Sequence, residues 1–288
     1  TPGGLFSEQR RAIQFLNHPY ARPIIGWRHE IDALTAADAK AFYRAHYGPN
    51  NAILVVAGDV SADAVRALAE EHYGPIPPNP AIVPRSRPTE PPQIAERRLR
   101  MEDARVGEPY FVRSYLASPR RPGDQRQAAA LVVLAELLGG NTATSFLGRV
   151  MQFDEPVAVQ TDAFYDSVAL DETTFTLAVV PAPGVTLDAA EAALDAALAR
   201  FLAEGVDAAA LDRIRRQLRA AEIYALDSAN RTARRYGEAL TAGLTLDDMA
   251  EWPGLLQAVT AADVMEAARA VLDPRRSVTA QLDRKDAS

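Results

Sequence analysis

Two segments of the chain share one pattern: Leu34-Thr35-Ala36-Ala37-Asp38 and Val259-Thr260-Ala261-Ala262-Asp263. In each segment the threonine hydroxyl can accept a hydrogen bond from a free N–H group at the start of a helix. The aspartate three residues later lies in the first turn, where the helix dipole favours a negative charge. The pattern therefore predicts two helices that begin in the same way, 225 residues apart.

The same spacing relates several other features of the sequence. It repeats an arginine, a proline followed by a strand-like run, and the only two tryptophans of the chain. The pairs are Arg44 and Arg269, Pro49 and Pro274, Ala52–Ala57 and Ser277–Leu282, and Trp27 and Trp252. A long-period repeat of this kind predicts two domains with similar folds.

This repeat gives a domain organisation. Residues 1–74 are expected to be the C-terminal part of a first domain, residues 75–92 a proline-rich linker, and residues 93–288 a second, homologous domain. The spacing places the start of the first domain roughly 130 residues upstream of Thr1. The chain opens without an initiator methionine or a signal peptide, so we expect its natural N-terminus to lie upstream.

Strand patterns come in pairs and helix patterns in runs in residues 93–288, which favours an α+β fold. We expect each domain to have a mainly antiparallel sheet covered by helices on one face, the first domain being incomplete. The predicted strands are Ala95–Met101, Tyr110–Ala117, Val157–Tyr165, Thr173–Val180 and Ser277–Leu282. A helix is predicted at Asp124–Leu138, ended by Gly139-Gly140, and six more follow it, the first of them short and near Ser145–Met151.

Composition excludes several classes of function. The net charge of −7 argues against nucleic-acid binding, and the arginines between Arg213 and Arg235 fit solvated helix faces. No cysteine is present, so neither disulfides nor a thiol nucleophile can be invoked. The longest apolar run, Ala128–Leu138, contains Glu136 and is too short to be a transmembrane segment.

The residues themselves form no catalytic or metal-binding motif. His72 ends half of an inverted H-x-x-E-H motif, but Leu68 stands where the first histidine is required. His29-Glu30 begins an H-E-x-x-H motif, but Ala33 stands at its second histidine. His46 and His72 are interpreted as helix-surface residues. There is no G-x-S-x-G motif, and no substrate-binding residue can be named.

Several motifs resemble the pitrilysin/insulinase family of zinc metallopeptidases, in the region that follows the family's metal site. The motifs are Asn17-His18-Pro19-Tyr20, Pro23-Ile24-Ile25-Gly26-Trp27, Phe42-Tyr43, Tyr47-Gly48-Pro49-Asn50-Asn51 and Gly58-Asp59. The similarity continues through Leu138-Gly139-Gly140, Gly205-Val206-Asp207 and Tyr236-Gly237. It implies a processing-peptidase-like fold and a fragment of a zinc-dependent endopeptidase that cleaves peptides or unfolded segments. His18 then reads as a turn or packing residue.

Members of the family bind zinc through H-x-x-E-H on one first-domain helix and a glutamate on a later one. By the repeat, these helices correspond to Asp124–Leu138 and Ala208–Leu226, and both counterparts lie upstream of residue 1. The resemblance therefore implies zinc in the full-length parent and no catalytic or metal-binding residue in this chain. Ala128–Leu134 contains no histidine, which marks the second domain as the metal-free copy.

Many members also carry an arginine and a tyrosine seven residues apart that contact substrate near the zinc. The corresponding positions here are Gln152 and Val159. This departure implies that a second family subunit, or a homodimer, supplies the pair. Bacterial relatives with this pattern are often periplasmic, so we expect an exported protein. The alternatives are a non-catalytic structural or assembly subunit of the same family and an unrelated binding protein.

Overall fold

The computed structural model describes residues 1–285. Five strands form a single sheet: β1 (Arg97–Asp103), β2 (Tyr110–Ala117), β3 (Ala158–Tyr165), β4 (Thr173–Pro181) and β5 (Ser277–Arg284). The helices before the sheet are α1 (Pro2–Gln14), α2 (Arg28–Ala33), α3 (Ala36–His46) and α4 (Ala62–His72). The others are α5 (Arg126–Ala135), α6 (Phe146–Gly148), α7 (Leu187–Glu204), α8 (Ala208–Ala225), α9 (Ala229–Thr241), α10 (Leu246–Ala258) and α11 (Ala261–Val271).

The strand order in the sheet is β1-β5-β2-β4-β3. Only β1 and β5 run parallel, while β5, β2, β4 and β3 pair in antiparallel fashion. The first and last strands of the sheet in chain order, β1 and β5, are therefore neighbours. This arrangement confirms the prediction of an α+β fold with a mainly antiparallel sheet. No helix in residues 1–285 is long and apolar enough to cross a membrane.

The main core lies between one face of the sheet and the helices α5, α7, α8, α10 and α11. Because successive side chains of a strand point to opposite faces, Phe175, Leu177 and Val179 of β4 all face these helices. Phe111 and Tyr115 of β2 join them and are almost completely buried. The predicted cover of helices on one face is confirmed.

The opposite face of the sheet is covered in part by α1. Phe6 of α1 is buried there against Val112, Ala280 and Leu282, and its ring packs edge-on against that of Tyr110, with 5.4 Å between centroids. Sequence patterns did not predict this contact, because nothing local relates an N-terminal helix to strands about a hundred and more residues away. The outer face is therefore also a packing surface.

The helix that contains α5 does not stop at Gly139, contrary to the sequence prediction. It continues as a π-helical turn over Glu136–Gly140, and Asn141 is its C-cap residue. A Cβ atom on Gly139 would lie 2.1 Å from the backbone nitrogen of Ala163 in β3. The glycine therefore permits close approach of a helix to a strand backbone instead of ending the helix.

The repeat seen in the sequence is also present in the structure. Capping boxes begin α3 and α11, with Thr35 N 2.9 Å from Asp38 Oδ2 and Thr260 N 2.7 Å from Asp263 Oδ2. A 3₁₀ turn follows each helix, over Pro49–Asn51 and Pro274–Arg276. These elements keep the spacing of 225 residues without a gap.

The repeat breaks at the predicted strand Ala52–Ala57, which forms no strand in the structure. Its counterpart at Ser277–Leu282 lies inside β5, which pairs with β1 on one side and β2 on the other. Within residues 1–285 no strand lies beside Ala52–Ala57, so its backbone has no ladder to join. The sequence pattern identified a strand-forming segment but could not supply its neighbours.

Glu90 joins the segment that follows α1 to the segment that precedes β1. Its carboxylate accepts hydrogen bonds from the backbone N–H groups of Leu16, Asn17 and His18 at 2.7–2.9 Å. Arg97 of β1 caps the last turn of α1 by donating to the carbonyl oxygen of Gln14 at 2.9 Å. Burial opposes ionisation of Glu90, but these N–H groups and the charge of Arg97 hold its pKa below the ordinary value.

Replacing Glu90 with Gln should destabilise the chain by about 1–3 kcal/mol, because an amide cannot accept from N–H groups on both sides. Since the pKa of Glu90 is lower in the folded state, this difference is complete above the unfolded pKa of about 4.3. It should shrink as the pH falls through the folded pKa. Urea unfolding of the wild type and Glu90→Gln between pH 3 and pH 7 measures it.

The exposed Glu71 of α4 provides the control for this experiment. Glu71→Gln should unfold like the wild type at every pH. A Glu90→Gln variant whose stability matches the wild type at pH 7 would show that the hydrogen bonds to Glu90 do not hold the N-terminal segment in place.

Candidate functional site

His18 is the one buried histidine of the described residues, with 4% of its surface exposed. Its Nδ1 accepts a hydrogen bond from the backbone N–H of Tyr20, at 3.2 Å, and so caps the 3₁₀ turn Pro19–Ala21. Its Nε2 lies 3.2 Å from Asp171 Oδ2, without the alignment of a hydrogen bond. The prediction that His18 is a turn and packing residue is confirmed.

The other three histidines lie on separate helices. His29 and His72 are exposed, whereas His46 is half-buried at the end of α3, with its Nδ1 3.4 Å from Arg85 Nη2. Across residues 1–285 no three side chains of His, Asp or Glu are arranged as a metal site. The side chains that the structure describes therefore do not fit a zinc ion.

Helix α5 is a packing element of the main core. The helix segment Ala128–Leu134 is buried except at Val132, and every side chain in it is alanine, valine or leucine. These side chains lie against the sheet and against α11. A site in this place would need polar ligands in the middle of an apolar layer, and the helix offers none.

Buried charges gather where α7 crosses the sheet. Arg113 of β2, 3% exposed, donates to Glu191 of α7 at 2.8 Å and is paired with Asp195. Arg98 contacts Glu191 at 2.7 Å, and Gln281 donates to it at 3.0 Å. Burial opposes ionisation of Glu191, but Arg98 and Arg113 lower its pKa. Every polar atom named here has a partner, so the network fixes α7 to the sheet and leaves nothing free for chemistry.

Gln152 and Val159 are brought together by the structure. Gln152 lies on a π-helical turn, Arg149–Asp154, beside β3, which is an edge strand. In the amide orientation that satisfies both groups, Gln152 donates to the carbonyl oxygen of Val159 at 3.0 Å and accepts from Thr161 N at 3.1 Å. A neighbouring strand would make the same two hydrogen bonds. The side chain of Gln152 therefore seals this part of the sheet edge.

The N-terminal segment exposes many large apolar side chains, which we call the tail apolar face. It comprises Ile24, Leu34, Phe42, Tyr47, Ile53 and Leu54, each about half exposed or more. The positions 225 residues further on are buried. For Leu34, Tyr47 and Ile53 the exposed fractions are 66%, 59% and 49%, and for their counterparts Val259, Leu272 and Val278 they are 4%, 4% and 0%. Positions that are buried in residues 249–279 thus have solvent-exposed counterparts in residues 1–74.

A sequence model described as "Peptidase M16 inactive domain" matches residues 33–218. The chain belongs to the peptidase M16 family. This finding confirms the resemblance to the pitrilysin/insulinase family, and the match includes the proline-rich stretch 75–92 with sequence on both sides of it.

An uncharacterized zinc protease of Mycobacterium leprae is similar to this M16 chain. The two are 27% identical over 234 residues, which is 78% of this chain and 49% of the relative. The chain spans about half the length of the curated relatives that match most of it. The matched region is 49% of one such relative and 50% of another.

Two solved structures share the fold. A protease from Helicobacter pylori superposes with a TM-score of 0.82 at 22% identity, covering 98% of this chain and 70% of that one. The periplasmic protease PqqL from Escherichia coli has a TM-score of 0.78 at 20% identity, covering 96% of this chain and 31% of that one. At these identities the similarity establishes the fold of the M16 chain.

Removing the polar end of Gln152 should expose the edge of β3. In Gln152→Met, the amide hydrogen of Thr161 loses its acceptor and should exchange about fivefold faster, the equivalent of about 1 kcal/mol for one hydrogen bond. Residue-resolved hydrogen exchange measures this rate. Gln160→Met is the matched control, because the Gln160 side chain bonds only to Asp162 in the same strand. Equal rates in the two variants would contradict the sealing role.

Proposed function

We propose that this chain is part of a zinc-dependent endopeptidase that cleaves peptides or unfolded segments, and that the chain by itself lacks the zinc site. The observation that supports this most is the tail apolar face. Five of its six side chains occupy positions that hold buried apolar residues in the proposed second domain, yet they are exposed. Burying side chains of this kind stabilises by about 1.5–3 kcal/mol each.

The repeat indicates what would cover the tail apolar face. In the second domain β5 lies between a parallel strand and an antiparallel one. We infer that Ala52–Ala57 takes one strand on each side in the same manner and becomes an inner strand of a first-domain sheet. Leu34 and Tyr47 would then face helices of that domain, as Val259 and Leu272 face the main core here.

Zinc ligands are proposed to lie on that first domain. The M16 relatives are named zinc proteases, but the residues present in this chain do not fit a zinc ion. The resemblance to the family implies that H-x-x-E-H lies on the first-domain helix that corresponds to α5. Helix α5 itself is apolar and buried. The chemistry that zinc supplies in such enzymes is the activation of a bound water. This chain would contribute the second, metal-free domain and part of the first.

The arginine and tyrosine that contact substrate from the second domain of other members are absent at the corresponding positions of this chain. Gln152 is occupied by the edge of β3, and Val159 offers neither a phenol nor a charge. We propose that a second M16 subunit, or a second copy of the protein, supplies the arginine and tyrosine that other members carry at these positions. Extended peptide substrates are expected to bind by adding to a first-domain sheet edge.

A periplasmic or otherwise exported location is part of the proposal. It is supported by the fold that the chain shares with a protease described as periplasmic.

The test compares the 288-residue chain with a longer polypeptide that also includes the first-domain segment of roughly 130 residues that we propose lies upstream. Zinc content is measured by mass spectrometry, and activity by cleavage of an unstructured fluorogenic peptide with and without a chelator. The longer polypeptide should bind one zinc ion and show chelator-sensitive cleavage, if necessary after its partner subunit is added. The 288-residue chain should show neither.

Two results would contradict the proposal in different ways. Stoichiometric zinc in the 288-residue chain would place the site among residues that we exclude. A longer polypeptide that folds but neither binds zinc nor cleaves peptide, alone or with a partner, would favour the non-catalytic structural subunit.

A further inference from the structure

A cavity of about 540 Å³ lies between α1, the start of β4 and the end of α9. It opens beside the outer face of the sheet, where Thr174 of β4 lines it, because the next residue, Phe175, faces the main core. Its volume is in the range of small-molecule binding sites. Its charged lining residues are Arg10, Arg11, Asp166 and Glu238, and none of them belongs to the networks described above.

The two arginines of this cavity have no counter-charge. Among residues 1–285, neither Arg10 nor Arg11 has a carboxylate oxygen within 4 Å, and Arg10 makes one long contact, from Nη1 to Ser114 Oγ at 3.5 Å. Burial, and secondly the charge of Arg11, lower the pKa of Arg10 below its ordinary value, whereas a nearby carboxylate would raise it. A guanidinium has five N–H donors, and a partly buried one is unfavourable without acceptors. The pair therefore lacks an anionic partner.

Gln14 lies one helical turn beyond Arg10 and also lines the cavity. It is 1% exposed, and its Oε1 accepts a hydrogen bond from the Ser114 hydroxyl at 2.6 Å, but its Nε2 has no partner. Buried polar groups in native proteins are nearly always hydrogen-bonded. Residues four apart are neighbours on a helix, so one acceptor bound beside Arg10 can, after a small rotation of the amide, also serve Gln14.

Two carboxylates line another part of the same cavity. Glu238 of α9 contacts the exposed Arg234 at 3.0 Å, and Asp166, just after β3, accepts a hydrogen bond from Val168 N at 3.0 Å. Neither carboxylate lies within 4 Å of Arg10 or Arg11. A dianion such as phosphate would be attracted by the arginines but repelled by these carboxylates. A ligand that carries a carboxylate at one end and an ammonium group at the other complements both parts of the cavity.

The rest of the lining is largely apolar. Phe15, Val168 and Leu170 contribute to it, so the ligand that fits has apolar groups between or beside its two charges. A free amino acid and a short peptide both have this chemistry. A dipeptide fills more of a cavity of 540 Å³ and can better span from α1 to α9.

We propose that this cavity binds short zwitterionic peptides with apolar side chains. Arg10 and Arg11 hold the C-terminal carboxylate, for which the fork of a guanidinium is well suited, and Glu238 and Asp166 attract the N-terminal ammonium group. The cavity lies at the other end of β3 from Val159, so it is distinct from the positions at which other family members contact substrate.

Isothermal titration of the 288-residue chain with leucyl-leucine near pH 7 tests the proposal. The wild type should show saturable binding of one dipeptide. Arg10→Gln and Arg11→Gln should each weaken the binding at least about tenfold, because a charge-assisted hydrogen bond is lost. Arg11 is exposed, so Arg11→Gln should keep the melting temperature of the wild type. Arg66→Gln, at an exposed position of α4 that does not line the cavity, is the matched control and should bind as the wild type does.

Modified ligands test the two charges separately. N-acetyl-leucyl-leucine lacks the ammonium group and leucyl-leucine amide lacks the carboxylate, so each should bind at least about tenfold more weakly than leucyl-leucine. Glu238→Gln should weaken the binding of leucyl-leucine and leave that of the acetylated dipeptide unchanged.

Three results would overturn the proposal. They are the absence of saturable binding, equal affinities in Arg10→Gln, Arg11→Gln and Arg66→Gln, and tighter binding of inorganic phosphate than of the dipeptide. The last of these would indicate a simple anion site. None of these measurements requires zinc or peptide cleavage, so a negative result here leaves the proposed function untouched.

Discussion

Three backbone N–H groups converge on the carboxylate of Glu90, and the placement of the whole N-terminal segment depends on this contact. Glu90 binds residues 16–18, just after α1, and nearby Gln93 donates to the carbonyl oxygen of Ser277 in β5 at 2.6 Å. Asp171 reinforces the junction through Arg87, at 2.7 Å, and through His18. Because α1 is held at its C-terminal end, Phe6 at the other end can remain buried on the sheet. The N-terminal segment is thus held by hydrogen bonds to the carboxylate of Glu90 and by the apolar packing of Phe6.

The sequence predicted those parts of the fold that depend on local chemistry. Thr35 and Thr260 cap helices because a hydroxyl and a carboxylate three residues apart can satisfy free N–H groups wherever they occur. Gly139 was misread, because a glycine that ends a helix and one that lets a strand approach look alike in sequence. Ala52–Ala57 was predicted as a strand from its residue types, but a strand forms only where a neighbouring strand can pair with it, and none lies beside this segment in residues 1–285. The place of α1 on the outer face depends on contacts that no local pattern encodes.

Local sequence patterns could predict only some features of the candidate site. The absence of an H-x-x-E-H motif from residues 1–288 could be read from the sequence. The contact between Gln152 and β3 could not, since it joins a π-helical turn to a strand edge through a side-chain amide. Nor could the contrast between the tail apolar face and its buried counterparts, which needs solvent exposure at both copies. These two observations support the proposals about the role of Gln152 and about what covers the tail apolar face.

The two tryptophans allow the central claim, that residues 1–74 belong to a second copy of the same fold, to be tested directly. Trp252 is 5% exposed, whereas its counterpart Trp27 is only half-buried. Fluorescence quenching by iodide in Trp27→Phe and Trp252→Phe reports each residue separately. In the 288-residue chain Trp27 should be quenched readily and Trp252 weakly. In the polypeptide extended upstream, Trp27 should become as protected as Trp252. Undiminished quenching of Trp27 in that folded polypeptide would contradict the account.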